Sequence, residues 1–598
     1  MIFGKYINKY YIKYILFFIL GIAALLAVNW VQLEIPKICG QILDGVADEA
    51  KNDPNSLFNN PEMINRLMIQ LAIIALIMFI GRFMWRYCIF GVAVRVETDI
   101  RYDMFNHSLK LSNAFYKHHK TGALMALFTN DLQVIKQAFG SGTVMTVDAI
   151  FLGSFALYRM FMNNWILTCF SIIPMILIAI VSVVVGRILK EKFKVRQEAY
   201  EKLSDFTQEN FSGIAVVKAF VKEVHEIRHF DKINEDNLNK NINYVKYATI
   251  LNVFLTAIIS SIITLLFGGG AYFVINGFMG KEFTPGQMFE FIGYFDAVIW
   301  PFMAVAQLIN MRSQANASLN RINGFLDEKI DIVDQNVTDI EQIAGKIEFR
   351  NLNFKYPDGS NNVLKNISFT IPEGSMVGII GKTGCGKTTI VDLLLRTYNL
   401  NDGQVFIDDK DIMHIPFKKI RDSIGYVPQD NFLFSDTIAN NIAFAYESFD
   451  DEMIQEAAKL ADVHNNIIEF NEQYATILGE RGVTLSGGQK QRVSIARAIV
   501  KNPAILIFDD SVSAVDTKTE ETILSNLKRI RKNRTTIIIA HRISTVQNLD
   551  MIIVMDDGKV VGIGKHEQLL ETCELYQQMV HLQSLESMVN GGDFNAEV

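Results

Sequence analysis

Residues 375–389 read SMVGIIGKTGCGKTT. The apolar run 375–380 has the make-up of a buried strand. Gly381-Lys382-Thr383-Gly384-Cys385-Gly386-Lys387-Thr388 then completes a GxxxxGK[ST] phosphate loop in its required place, between a strand and a helix. Its glycines let successive backbone N–H groups converge on phosphate oxygens at a helix N-terminus, which favours anions. Lys387 adds a point charge for the β- and γ-phosphates, and the Thr388 hydroxyl suits Mg²⁺. Cys385 sits in the same nest, where thiol pKa values fall; a reactive thiol that MgATP protects is expected. A second apolar strand, 504–508, ends in Asp509-Asp510, and an acid at such a strand end can hold Mg²⁺.

Around this loop, residues 346–585 alternate short β-rich runs with helical stretches, the pattern of an α/β domain. A tail, 586–598, follows it. An acidic, weakly periodic linker, 325–345, precedes it. Residues 1–324 are different in kind. Six segments there meet the requirement of about 20 apolar residues for a bilayer core of ~30 Å: 14–33, 67–94, 137–158, 160–186, 247–280 and 283–311. Lysines 5, 9 and 13 precede the first, and the excursions 95–137 and 187–247 carry six and twelve Lys/Arg, whereas the opposite loops carry few. The positive-inside rule makes both termini, both excursions and the α/β domain cytoplasmic. Arg82 and Arg86 then fall at the cytoplasmic end of the second crossing. Each excursion lacks proline and has one glycine near its middle, Gly122 or Gly213. Long structureless loops are uncommon, so paired helical extensions turning near each glycine are expected. The fold class is a six-crossing helical transmembrane domain with long cytoplasmic extensions, fused to an α/β phosphate-loop domain.

Composition closes other routes. The chain has 598 residues, and 64 acidic against 57 basic residues give a net charge of −7, without the basic footprint of a nucleic-acid binder. Five scattered cysteines with no CxxC spacing argue against a disulfide framework or a zinc site. The run 14–33 is too long for a signal-peptide core and is expected to stay in the mature chain.

The motif Leu485-Ser486-Gly487-Gly488-Gln489 sets a hydroxyl and two bare glycines at a helix start, upstream of the second strand. It resembles the signature of ATP-binding cassette (ABC) proteins. One cassette behind membrane helices resembles an ABC half-transporter of the exporter type, over essentially the whole chain. The resemblance implies ATP and Mg²⁺ as cofactors. It makes Gly381 to Gly386, Lys387, Thr388 and Thr389 ATP ligands, together with Ser486, Gly487, Gly488 and Gln489. It implies that Tyr356 stacks on adenine, that Thr388, Gln429 and Asp509 serve the metal, and that His541 contacts the γ-phosphate. Residues 479–482 (GERG) resemble an exporter-specific loop, 511–516 (SVSAVD) the loop that crosses to the opposite cassette, and 115–131 and 209–220 the two coupling regions.

One position departs from the family. The Walker B aspartate is usually followed by Glu, which polarises the attacking water; here that residue is Asp510. A misplacement of ~1 Å can cost on the order of 10²-fold in rate. The substitution resembles one subunit of heterodimeric exporters with a degenerate ATP site. The implied partner is a different half-transporter that carries the catalytic Glu, and the implied location is the plasma membrane. A homodimeric lipid or peptide exporter, or an ATP-gated channel on this scaffold, is the alternative. Asp148 and Asp296 lie about midway along their crossings. Intramembrane acids default to a functional hypothesis: within a site for a small hydrophobic or cationic substrate they would attract cationic amphiphiles, or else be satisfied inside the helix bundle by a proton, an ion pair or a hydrogen bond.

Overall fold

The computed structural model describes residues 4–49, 61–276, 283–338, 340–479, 482, 484–511 and 517–589. Two compact units emerge, Met1–Ser108 with Thr121–Glu328, and Leu109–Lys120 with Lys329–Val598.

The first unit is helical. Among the described residues, five stretches are long and apolar enough to cross a membrane: Ile15–Ala47, Pro61–Ser108, Thr121–Asn163, Glu223–Gly269 and Pro285–Leu326. The apolar segment 160–186 falls on the helix Trp165–Ser212, whose start Asn164 caps by accepting from the N–H groups of Ile166 and Leu167. Three helices, Pro61–Ser108, Trp165–Ser212 and Glu223–Asn276, have 48, 48 and 54 residues. At 1.5 Å per residue these run for roughly 70–80 Å, more than twice a bilayer core. Lys51 and Lys281 of the outer loops, and 277–280 of the fifth segment, lie outside the described residues.

The turns differ from expectation in one place. Gly213 does end the helix Trp165–Ser212, and a short helix, Ile214–Ala219, follows. Gly122 does not mark the first turn. The chain turns earlier, through 109–120, and Gly122 already lies in the returning helix Thr121–Ala126. The reversal is made by Ser112 and His119, both in extended backbone conformation on either side of the helix Asn113–His118.

The N-terminal helices Asn8–Lys13 and Ile15–Gln32 run antiparallel to Pro61–Ser108, and charge fixes the register. Lys13 and Lys9 bind Asp99 and Asp103 at 2.6 and 2.5 Å. The neighbouring hydroxyls of Tyr14 and Tyr10 donate to the same carboxylates at 2.9 and 2.8 Å. Lys5 and Tyr6 repeat the arrangement on Asp327, at 2.5 and 2.7 Å. This Lys-Tyr pair recurs every four residues and so returns to one helical face. Farther along, a Cβ on Gly21 would come within 2.8 Å of Ile89, and one on Gly81 within 2.5 Å of Val28. Glycine is required at both for the close approach of the two helices.

The same register sets Arg82 and Arg86 relative to Lys13. Gly81 lies level with Val28, and Ile89 with Gly21. Counted from the Lys13–Asp99 pair, Arg86 and Arg82 stand about 20 and 25 Å along the helix. A ~30 Å core that began at this pair would hold both beyond its middle.

The second unit holds two sheets. β1 (Ile347–Phe354), β2 (Leu364–Ile371), β4 (Val405–Ile407) and β5 (Lys410–Asp411) form an antiparallel sheet in the order β2-β1-β4-β5. β3 (Met376–Gly381), β6 (Ile424–Val427), β7 (Ile505–Asp509), β8 (Thr535–Ile539), β9 (Met551–Asp556) and β10 (Lys559–Gly564) form the main sheet, β10-β9-β3-β8-β7-β6, parallel except for β10. β3, β7 and β8 are buried along their whole length, as parallel strands covered on both faces must be. Val377 and Ile379 enter one apolar core and Met376 and Ile380 the other. Residues of 329–345 pack into this unit as well: Ile340 and Ile343 are buried, and Asp334 accepts from the fully buried Arg396 at 2.9 Å.

Gly81→Ala should destabilise the membrane unit by about 1–3 kcal/mol through overpacking. Gly91→Ala on the same helix, where a Cβ meets nothing within 4 Å, should be neutral or slightly stabilising. Thermal unfolding of the two detergent-solubilised variants checks the difference.

Candidate functional site

The strand order brings the carboxyl ends of β3, β8 and β7 side by side, the usual ligand crevice of a parallel sheet. β3 delivers the phosphate loop. Gly384 and Gly386 hold φ of +81° and +98°, a region that costs glycine little, and a Cβ on Gly386 would lie 2.7 Å from Leu364. The helix Lys387–Leu394 begins immediately after. Buried Lys387 donates to the carbonyls of Gly381 and Lys382 at 2.8 and 3.0 Å, which closes the loop on itself. Burial pushes the Lys387 pKa down, against the pull of Cys385, Asp510 and Asp509.

β7 delivers Asp509, which is 1 % exposed. It accepts from the Thr388 hydroxyl at 3.1 Å and, on its other oxygen, from the Tyr426 hydroxyl at 3.4 Å. Burial raises its pKa, and those two hydrogen bonds oppose the rise. An acid with a raised pKa costs the fold stability while it is ionised, and a cation at this point offsets that cost. The donors are hard oxygens at the mouth of a phosphate loop, which fits Mg²⁺ bound together with a nucleotide. Gln429 is exposed, just beyond β6, the strand next to β7. No hydrogen bond ties it to Thr388 or Asp509 among the described residues.

Asp510 follows with φ +45°, and its N–H donates to the Ile539 carbonyl at 3.0 Å. Left-handed backbone is tolerated by Asp far better than by most side chains. Its charge is felt at both Lys387 and His541. His541, just past β8, is kept below the ordinary histidine pKa by burial and by Lys387, with Asp510 pulling the other way. Gln583 donates to the His541 carbonyl at 2.6 Å. Lys387, Thr388, Asp509, Asp510 and His541 thus form one cluster.

Tyr356 stands at the edge of the antiparallel sheet. Its hydroxyl meets the Thr389 hydroxyl at 2.9 Å, and its ring meets Phe354 and Tyr398 edge-on, each at 5.2 Å. The sequence offered no signal for two of its neighbours. Lys117, from the helix Asn113–His118, places its ammonium 5.3 Å from the Tyr356 ring centre and 5.6 Å from that of Tyr398, and donates to the Tyr398 hydroxyl at 3.1 Å. A segment flanked in sequence by membrane-unit helices therefore completes the surroundings of Tyr356.

The signature stands apart. Ser486 caps the helix Gly487–Val500 in a capping box: its side chain accepts from the Gln489 N–H at 3.3 Å, and Gln489 Oε1 accepts from the Ser486 N–H at 3.0 Å. A Cβ on Gly487 would meet nothing within 4 Å, so this fold does not itself demand glycine there. No hydrogen bond or ion pair among the described residues joins 485–489 to 381–389. Residues 480, 481 and 512–516, from the GERG and SVSAVD loops, lie outside the described residues.

The two membrane acids part company. Asp148 is 8 % exposed and opens a π-turn, Asp148–Leu152. It accepts from Asn29 at 2.9 Å and from Trp300 at 3.3 Å, so its carboxylate is satisfied within the bundle. Asp296 is exposed.

Cys385 departs from expectation. It is 4 % exposed, and burial pushes its pKa up in spite of nearby Lys387. Maleimide labelling of native protein near pH 7 should be slow with or without MgATP and become fast only in SDS, as mass spectrometry will show. Lys117→Met should weaken ATP binding a few-fold, in line with a cation–π contact of about 0.5–1 kcal/mol; titration with a fluorescent ATP analogue checks it.

Family models for the ABC transporter transmembrane region and the ABC transporter ATP-binding region match residues 18–302 and 364–513. The chain is 35% identical over 591 residues to a probable multidrug resistance ABC transporter ATP-binding/permease protein of Bacillus subtilis (strain 168), covering 98% of each. It is 33% identical over 560 residues to an ATP-dependent lipid A-core flippase of Syntrophus aciditrophicus (strain SB), covering 92% of this chain and 91% of that one. A solved bacterial Atm1-family ABC exporter with ATP bound superposes with a TM-score of 0.74 at 25% identity, covering 99% of this chain and 100% of the other.

Proposed function

This chain belongs to the ABC transporter family as a half-transporter of the exporter type, and from that premise we propose that it exports a hydrophobic or amphipathic compound across the plasma membrane in an assembly with a different half-transporter. It is an integral membrane protein that uses ATP with Mg²⁺. The proposal adds six crossings, cytoplasmic termini and ATP-binding unit, and two unequal ATP sites.

One observation carries the ATP-driven part: the Thr388 hydroxyl and the buried Asp509 carboxylate meet at 3.1 Å beside a complete phosphate loop. Mg²⁺ bound there with ATP supplies charge neutralisation for phosphoryl transfer. Lys387 neutralises phosphate charge, Tyr356 offers a ring to adenine, and His541 is placed to donate a hydrogen bond to a terminal phosphate. Asp510 is the group left to orient the attacking water. The signature has its own capped helix and an uncrowded Gly487, which supports a role on a nucleotide held by the second subunit.

The unequal-site part rests on Asp510. Glu would extend the carboxylate by about 1.5 Å, a displacement that weighs on the order of 10²-fold in rate. It would also lose the tolerance of Asp for left-handed backbone, a penalty of roughly 1–2 kcal/mol, or about tenfold. Asp510→Glu is therefore expected to raise steady-state ATP turnover at this chain's own site by about tenfold. The chain purified alone in nanodiscs should hydrolyse ATP slowly, and co-purification with a Glu-bearing half-transporter should restore ordinary exporter rates. Vigorous hydrolysis by the lone chain would favour a homodimer that works with Asp.

A further inference from the structure

The helix Pro61–Ser108 carries Arg82 and Arg86 one turn apart, both exposed, about 20–25 Å along an apolar candidate span from the Lys13–Asp99 pair. Neither forms an ion pair among the described residues; Arg86 rests on the Trp85 ring at 5.4 Å. Together they flank a groove of ≈ 730 Å³ whose other walls are apolar, Ile35, Leu71, Met78, Phe79, Phe83 and Tyr87 among them. The volume lies within the range of small-molecule sites. No acid lines it.

Two guanidinium groups at this depth are costly against lipid tails. Intramembrane charges almost always face a bundle interior or a water-filled cavity, and they mark substrate pathways. Arginine also pairs with phosphate or carboxylate in a planar, bidentate way. The charge and the apolar walls together describe an amphiphile: an anionic head between the two guanidiniums and a hydrocarbon body along Phe79 and Phe83. Asp148, which would have favoured a cation, is spent on Asn29 and Trp300.

We propose that Arg82 and Arg86 form a cargo site for an anionic amphiphile. The proposal rests on the exporter reading and names the charge class of its substrate. It sets the pair's positive charge above the exposed Asp296 in selecting cargo.

The test uses the co-purified transporter in phosphatidylcholine nanodiscs and three twelve-carbon probes below micellar concentration: dodecyl phosphate, dodecyltrimethylammonium and dodecyl maltoside. Binding is measured calorimetrically. Dodecyl phosphate should bind tightest. R82Q/R86Q should weaken it by at least about tenfold, as expected for two charge-assisted contacts, without weakening the cationic probe. R82K/R86K keeps the charge and should retain most of the affinity, which separates loss of charge from loss of fold. The proposal fails if dodecyl phosphate binds no better than the cation, if R82Q/R86Q leaves its affinity unchanged, or if Asp296→Asn selectively weakens a preferred cationic probe. It also fails if R82Q/R86Q elutes as separated subunits, since the arginines would then be holding acids of the second subunit. ATP-driven uptake of any probe into inverted vesicles is measured in parallel. Absence of uptake for all three with anionic binding intact would count against the exporter reading alone.

Discussion

The burial of one carboxylate at the end of β7 is the constraint on which the ATP-binding unit depends. Asp509 has almost no access to water, and its neutral hydrogen bonds only partly offset desolvation. It is held there by a strand buried on both faces and parallel to β8, itself parallel to β3. That register puts the carboxylate against Thr388 in the first turn after the phosphate loop. Lys387, kept in place by two carbonyls of the same loop, is the nearby positive charge. The cluster is poised for a divalent cation and phosphate together, because each relieves a cost the other groups impose.

The membrane unit is organised by a different economy. Ile15–Gln32 and Pro61–Ser108 approach closely because Gly21 and Gly81 leave room for Ile89 and Val28, and the Lys-Tyr pairs on Asp99 and Asp103 fix how far one slides along the other. Within the apolar region, polarity is either enclosed or exposed for a reason. Asp148 is enclosed at a π-turn, beside Trp300 and the in-helix Pro301, where helix geometry already departs from ideal. Arg82 and Arg86 are exposed, about 20–25 Å along the helix from the Lys13–Asp99 pair.

What could be read in the sequence was local. The phosphate loop, the Asp509 strand end and the Ser486 helix start are each a few contiguous residues whose chemistry and backbone needs coincide, and each is where its motif places it. Long helices followed from apolar runs with few prolines. What could not be read depended on neighbours distant in sequence. The Cys385 thiol looks activated by its helix N-terminus, but the surrounding core buries it and reverses the shift. Lys117 reaches Tyr356 and Tyr398 only because 109–120 joins the second unit. Gly122 misled because extended residues on either side of the helix Asn113–His118 make the turn instead. The Lys-Tyr spacing of four residues was a usable signal for a helical face that meets acids, and pairing it with Asp99 and Asp103 would have set Arg82 and Arg86 relative to Lys13.

The central claim is that Thr388 and Asp509 jointly turn ATP binding into MgATP binding. Its most direct measurement is ATP affinity of the purified chain with and without Mg²⁺, for wild type and Thr388→Val. The account predicts that Mg²⁺ tightens binding to the wild type and that Thr388→Val loses most of this gain while its Mg²⁺-free affinity stays near the wild-type value. An unchanged Mg²⁺ effect in Thr388→Val would contradict it.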